Sequence, residues 1–356
     1  MPNFLKITNI QYQAIFLLLF LIYFILGIYL IQTTSIASDE PAYIGAAYSY
    51  TQGLGLNPEH PPLLKMINAA LIKLFYPEHN ISLPDPSTLV EDSAIRLAGF
   101  NVGYTYLISN PEGFDKIIFI SRIGYLAFNS ILLLWLYVYT YVLKLITPVI
   151  SITLAILCVF SPSFYSHNFL ISFDVSVAIC ALLTILSLTI LIINLFKFSS
   201  KQLLCHFLIT TILLFFSLNA KFSNLILLPI VIGAYFLTII YLIKTRKSKV
   251  ALKFTVFSVI SLVSQPLLIA FIYRIAFRKL PNQSIVDNLN RYLQGVNMTL
   301  GTKDGVQQPF LYGKFVPITY MEYIQKIFWF KENPCLFLII LVIILSLIGM
   351  IINNRQ

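Results

Sequence analysis

The sequence predicts an all-α protein, a polytopic membrane helix bundle of about eight spans with a large, partly helical first outer loop. Three observations carry this. Of 356 residues, 58% are hydrophobic and only 11% are charged, with mean hydropathy +0.84; a soluble domain carries about twice that charge fraction. Apolar runs recur at 13–32, 117–143, 147–163, 168–195, 203–218, 222–243, 252–275 and 332–353, most of them near the ~20 residues a helix needs to cross a bilayer. Inside lipid such runs must be helices, because backbone groups find no water there. The loops between them are unequal: 33–116 and 276–331 are long and the rest are short. One bundle over 1–356 is the expected domain organisation.

The first run, QAIFLLLFLIYFILGIYLIQ, is longer than a signal-peptide core and no small-residue cleavage site follows it, so it reads as a retained span. With the N-terminus inside, the cytoplasmic segments carry Lys6, Lys144, Lys197, Lys201, Lys244, Arg246, Lys247, Lys249, Lys253 and Arg355 and no acid. That bias satisfies the positive-inside rule. It also accounts for the net charge of +10 without a nucleic-acid partner. The cysteines Cys158, Cys180, Cys205 and Cys335 are too scattered for a disulfide framework or a zinc site.

The acids lie on the other side. Nine of the 14 are in the first long loop: Asp39, Glu40, Glu59, Glu78, Asp85, Glu91, Asp92, Glu112 and Asp115. Asp287, Asp304 and Glu322 are in the second, and Glu332 begins the last run. Asp174 alone is expected inside a span, about two turns in from the outer side, where an ionisable group is costly and by default functional. Two helices are expected in the first loop. PAYIGAAYSY is one, ended by Gly53 and Gly55; PPLLKMINAALIKLF is the other, an amphipathic segment opened by proline and lying on the membrane surface.

Asp39 and Glu40 sit just past the outer end of the first span, where a lowered dielectric can turn a carboxylate into a usable base. Lys65, Arg122 and Lys221, with Arg274, Arg278, Lys279 and Arg291 in the second loop, supply cations on the same face. Arginine and lysine at a membrane surface suit a phosphate. His60 and His167 are also outer residues, and Glu59 with His60 could contribute to a divalent-ion site alongside Asp39 or Asp174. No phosphate-cradling glycine loop is present, so a substrate arrives through lipid or from outside.

The stretch DEPAYIGAAYSYTQGLGLNPEHPPLLK resembles the first outer loop of protein O-mannosyltransferase-like enzymes, the family 39 type of the GT-C superfamily, which also holds the lipid A aminoarabinose transferases. NFLISFDVSVA, LNAKFSNLILLPI and LYGKFVPITYMEYIQKIFWFKENPCLFLII are similar to three further elements of that family. Relatives often have His at Tyr43 and Pro at Ser176, and many continue beyond the eighth span. The resemblance implies a GT-C fold and an inverting glycosyltransferase of the bacterial inner membrane. Such an enzyme moves a sugar from a polyprenyl-phosphate carrier to a glycan, lipid or protein acceptor on the outer face, with no cofactor required beyond an optional divalent cation. It implies Asp39 as base with Glu40 beside it, and Lys65 and Arg122 on the carrier phosphate. Glu59, His60, Asp174, His167 and Lys221 would line the substrate. A transporter or flippase would need polar groups through the bilayer centre, and a non-catalytic assembly subunit is the other alternative.

Overall fold

A computed structural model of the chain describes residues 8–57, 59–76, 81–85, 92–280, 283–301, 310–311 and 314–315. These form twelve α-helices: α1 (Asn9–Thr33), α2 (Glu40–Thr51), α3 (Pro62–Phe75), α4 (Asp92–Ile108), α5 (Phe114–Tyr137), α6 (Pro148–Phe160), α7 (Pro162–Asn168), α8 (Asp174–Ile193), α9 (Ser200–Ala220), α10 (Leu227–Lys244), α11 (Ser248–Ala276) and α12 (Ile285–Gly301). A two-residue antiparallel pair, Phe310–Leu311 with Lys314–Phe315, is the one sheet among the described residues.

Among the described residues, six helical segments are long and apolar enough to cross a membrane: Asn9–Thr33, Phe114–Val142, Asp174–Ile193, Ser200–Ala220, Phe222–Lys244 and Ser248–Ala276. The run expected at 332–353 lies outside the described residues. The run expected at 147–163 forms the shorter helix α6, and its bounds have local causes. The Thr147 side chain accepts from Ile150 N at the start, with Pro148 in the first turn. At the far end Ser161 is extended (φ −71°, ψ 119°), as a residue before proline prefers, and Pro162 opens α7 instead.

The chain divides into two compact units. In the first, α6 and residues flanking it are joined by aromatic and hydroxyl contacts: Tyr12 stacks on Tyr137 with ring centroids 6.0 Å apart, and its hydroxyl shares a hydrogen bond with Ser151 Oγ at 3.2 Å. The second unit spans Gly27–Leu132 and Asn168–Thr302 and contains every site residue expected above except His167.

Within the second unit the spans pack through a core of large apolar side chains, Leu191, Phe207, Leu214 and Phe254 among them, and small hydroxyls add hydrogen bonds between them, as in other membrane helix bundles. Thr184 and Ser217 share a hydrogen bond at 2.9 Å, and Ser187 and Thr210 share one at 2.7 Å, tying α8 to α9. Thr211 donates to Ser261 at 2.7 Å, tying α9 to α11. A buried amide chain holds α5 to the start of α8: Ser176 Oγ donates to Asn129 Oδ1 (2.7 Å), and Asn129 Nδ2 donates to Asn168 Oδ1 (2.8 Å).

The first long loop is more helical than expected, because it also contains α4. Helices α2 and α4 cross at glycines. A Cβ on Gly103 would lie 1.8 Å from Pro41 O, and one on Gly45 would lie 2.2 Å from Gly99 O. That backbone approach is open only to glycine, and it fixes the first turn of α2 against α4.

Candidate functional site

Helix α2 starts one residue after Asp39, and its first residue, Glu40, is buried at 1% exposure. Glu40 faces Arg122 of α5, which is 0% exposed. Arg122 Nε donates to Glu40 Oε1 at 2.8 Å and Nη2 to Oε2 at 2.6 Å, a bidentate pair. Each carboxylate oxygen accepts a second bond, Oε1 from Ile171 N (2.9 Å) and Oε2 from Ala37 N (2.7 Å). The remaining guanidinium donors go to the backbone carbonyls of Ile31 (3.1 Å), Thr34 (2.8 Å) and Ser35 (2.8 Å). All five N–H groups of Arg122 are thus engaged.

This corrects two expected roles. Glu40 has no accessible lone pair with which to act as a base, and Arg122 has no donor left for a phosphate. Together they form a buried clamp that ties the end of α1, the start of α2, α5 and the segment before α8. The residues on either side of that clamp, Asp39 and the Ser172–Asp174 turn, are held by it.

Asp39 itself is exposed, and its carboxylate accepts a 3.4 Å hydrogen bond from Ser38 Oγ. One helical turn on, Tyr43 is half-buried, its N–H bonded to Asp39 O at 3.3 Å. Burial first, and then the negative charges of Asp39, Asp174 and Glu59, push its phenol well above the ordinary value. The charges of three carboxylates from three segments thus all act on one neutral hydroxyl.

Asp174 is placed differently from the expectation. It is the first residue of α8, not two turns inside a span, because residues 169–173 are non-helical. It is 54% exposed and pairs at 2.6 Å with Lys221, 31% exposed. Ser172 Oγ donates to its other oxygen at 3.3 Å. Lys221 occupies an extended break (φ −159°, ψ 146°) between α9 and a short 3-10 turn, Phe222–Ile226, that leads into α10. The break turns its side chain out of the helix packing.

Lys65 is fully buried on α3. Its Nζ donates to the carbonyls of Asn57 and His60 (2.7 Å to the latter) and lies 5.6 Å from the centre of the Tyr50 ring. Burial lowers its pKa to about 7, with Glu59 pulling the other way. Lys65 thus faces its own preceding loop, not an open phosphate site, the third residue to depart from its expected role.

The same loop carries His60. Its ring meets Phe173 edge-on at 4.9 Å and Tyr43 at 5.9 Å, and Tyr43 meets Phe173 at 4.5 Å. Burial, then the charges of Lys65 and Lys221, lower its pKa to about 3, so the imidazole is neutral. Its Nδ1 is buried without a hydrogen-bond partner among the described residues. Glu59 is half-buried, and its carbonyl accepts from Thr299 of α12 at 2.9 Å. No group of three metal-ligating side chains occurs among the described residues. His167 lies in the last turn of α7, in the first unit, and is half-buried.

The structure therefore gathers Asp39, Glu59, His60, Asp174 and Lys221 around Tyr43 and Phe173, with Lys65 behind His60. Tyr43 and Phe173 were not among the expected site residues. Tyr43 could have been found from its spacing, four residues after Asp39 on a helix. Phe173 carried no signal beyond its place beside Asp174. Comparison with protein-family models, curated proteins and solved structures finds no match.

Proposed function

We propose that this chain is a membrane glycosyltransferase of GT-C type that moves a sugar from a polyprenyl-phosphate carrier to an acceptor hydroxyl on the outer face of a bacterial inner membrane. The observation that carries it is the separation of two adjacent carboxylates into different tasks. Glu40 is locked in a buried pair, while Asp39, the residue before it, stays exposed, and its charge and that of Asp174, in an ion pair open to solvent, both act on Tyr43.

In this reading Asp39 accepts the acceptor's hydroxyl proton as that oxygen bonds to the anomeric carbon. The carbon–oxygen bond to the carrier breaks, and its electron pair leaves on the carrier phosphate. Lys221 releases Asp174 and meets that developing charge, an electrostatic contribution of the kind that lowers transfer barriers most. Asp174, neutral His60 through Nδ1, and the Tyr43 hydroxyl offer hydrogen bonds to sugar and acceptor hydroxyls. The Tyr43–Phe173 edge supplies an apolar wall. The phosphate contact moves from Arg122 and Lys65, as first expected, to Lys221, because Lys221 is the solvent-accessible cation of the cluster.

The test is incubation of the purified full chain in detergent with a panel of radiolabelled undecaprenyl-phosphate sugars. Turnover or slow hydrolysis of one donor is the expected result. A chain that neither turns over nor binds any polyprenyl phosphate would contradict the assignment and favour a transport role.

A further inference from the structure

We infer that an anionic phospholipid binds in a cleft between α2, α3 and the end of α11, apart from the transfer site proposed above. The cleft has a volume of about 120 Å³. That is room for a small anionic group, with any attached chain lying outside the cleft. Its floor is apolar, formed in part by Tyr50, Ala69, Ala70 and Ile275. Both charged residues that line it, Lys73 and Arg278, are cations, and no carboxylate lines it.

Arg278 is held in place before any ligand arrives. Its Nη2 donates to Thr51 O at 2.8 Å. Its stem lies against Gly53, which has φ +79° and where a Cβ would come within 2.7 Å of Arg278 Cγ. A cation fixed in this way loses little freedom on binding.

The occupant is a lipid rather than a free anion because the cleft opens onto an apolar track. Ile275 lines it at 39% exposure, and Phe271 (62%) and Leu267 (51%) continue at four-residue steps along α11. Residues at that spacing share one face of a helix, and α11 is long and apolar enough to span a membrane. On the other side Leu74 (69%) and Phe75 (57%) follow Lys73 at the exposed end of α3. A phosphate between Lys73 and Arg278, with its acyl chain down the α11 face, satisfies both halves of the surface. Tyr50 borders this cleft and also lies 5.6 Å from Lys65 Nζ, so an occupied cleft adjoins the buried lysine without using it.

The experiment is native mass spectrometry of the full chain titrated with phosphatidylglycerol, phosphatidylcholine, inorganic phosphate or undecaprenyl phosphate. Phosphatidylglycerol is expected to bind saturably and phosphatidylcholine not. Two variants are compared with wild type: Lys73→Gln/Arg278→Gln, and Ala70→Phe, which fills the cleft and leaves both charges. The charge variant is expected to weaken phosphatidylglycerol binding by about tenfold or more, since each interfacial cation attracts anionic lipid, and Ala70→Phe is expected to weaken it by occupying the cleft. Unchanged binding in both variants would overturn the proposal. Equal competition by inorganic phosphate would reduce the cleft to a plain anion site, and stoichiometric displacement by undecaprenyl phosphate would make it the donor's. None of these readouts needs turnover, so this proposal and the transferase reading fail separately.

Discussion

Replacing Arg122 with leucine removes one half of the buried clamp and is expected to destabilise the chain by about 3–5 kcal/mol, the usual cost of leaving a buried charge without its partner. The structure sets out the components. Glu40, 1% exposed, would keep its bonds from Ala37 N and Ile171 N but lose both guanidinium bonds. The carbonyls of Ile31, Thr34 and Ser35 would each lose a donor. Glu40→Leu leaves the opposite charge stranded, at a similar cost. The double variant strands neither charge and leaves only backbone groups short of partners. It is therefore expected to be more stable than the sum of the single effects by about 2 kcal/mol, within the range of couplings measured between contacting residues. The assay is equilibrium unfolding of all four chains in mixed micelles with rising denaturing detergent. An Arg122→Leu chain within about 1 kcal/mol of wild type, or singles that add, would refute the clamp.

The other predictions use the same geometry. Lys65 holds its proton to about pH 7 when folded and to its ordinary value of 10.5 when unfolded, so the unfolded chain binds more protons between those values and stability rises with pH across that window. The slope is at most about 1.4 kcal/mol per pH unit; Lys65→Met is expected to flatten it, and an unchanged slope would contradict the burial argument. Lys221→Gln breaks an ion pair that is 31% and 54% exposed, so it is expected to cost less than about 1 kcal/mol of stability while weakening donor binding in a titration with undecaprenyl phosphate. Full donor affinity in that variant would remove Lys221 from the phosphate. Gly103→Ala would place a Cβ 1.8 Å from Pro41 O; it is expected to cost about 1–3 kcal/mol or more in the same unfolding assay, and a neutral result would deny the close crossing of α2 and α4.

Hydropathy located the six helical segments among the described residues that are long and apolar enough to cross a membrane, because lipid exposure demands long apolar runs whatever their packing. It placed their ends less well. Asp174 was expected inside the membrane since apolar residues flank it, yet residues 169–173 leave the helix and put it at the first turn of α8. Helix α4 was not legible, because its glycines serve the crossing with α2 and weaken any local helical signal. The acids and cations of the first loop stood out in the sequence as a group, but their individual surroundings did not. Glu40 and Asp39 are neighbours in sequence, and only a partner 82 residues away separates a buried structural carboxylate from an exposed one. Lys65 likewise looked like a phosphate ligand until the turn at Asn57–His60 supplied its acceptors.

The central claim is that the exposed carboxylate of Asp39 removes the acceptor's proton. Single-turnover transfer from a labelled undecaprenyl-phosphate sugar tests it most directly, measured for wild type and Asp39→Asn chains of equal unfolding midpoint. The account predicts a loss of at least about a hundredfold in rate, the lower end of what a positioned base contributes, with donor binding retained. An Asp39→Asn chain that transfers sugar at near the wild-type rate would contradict it.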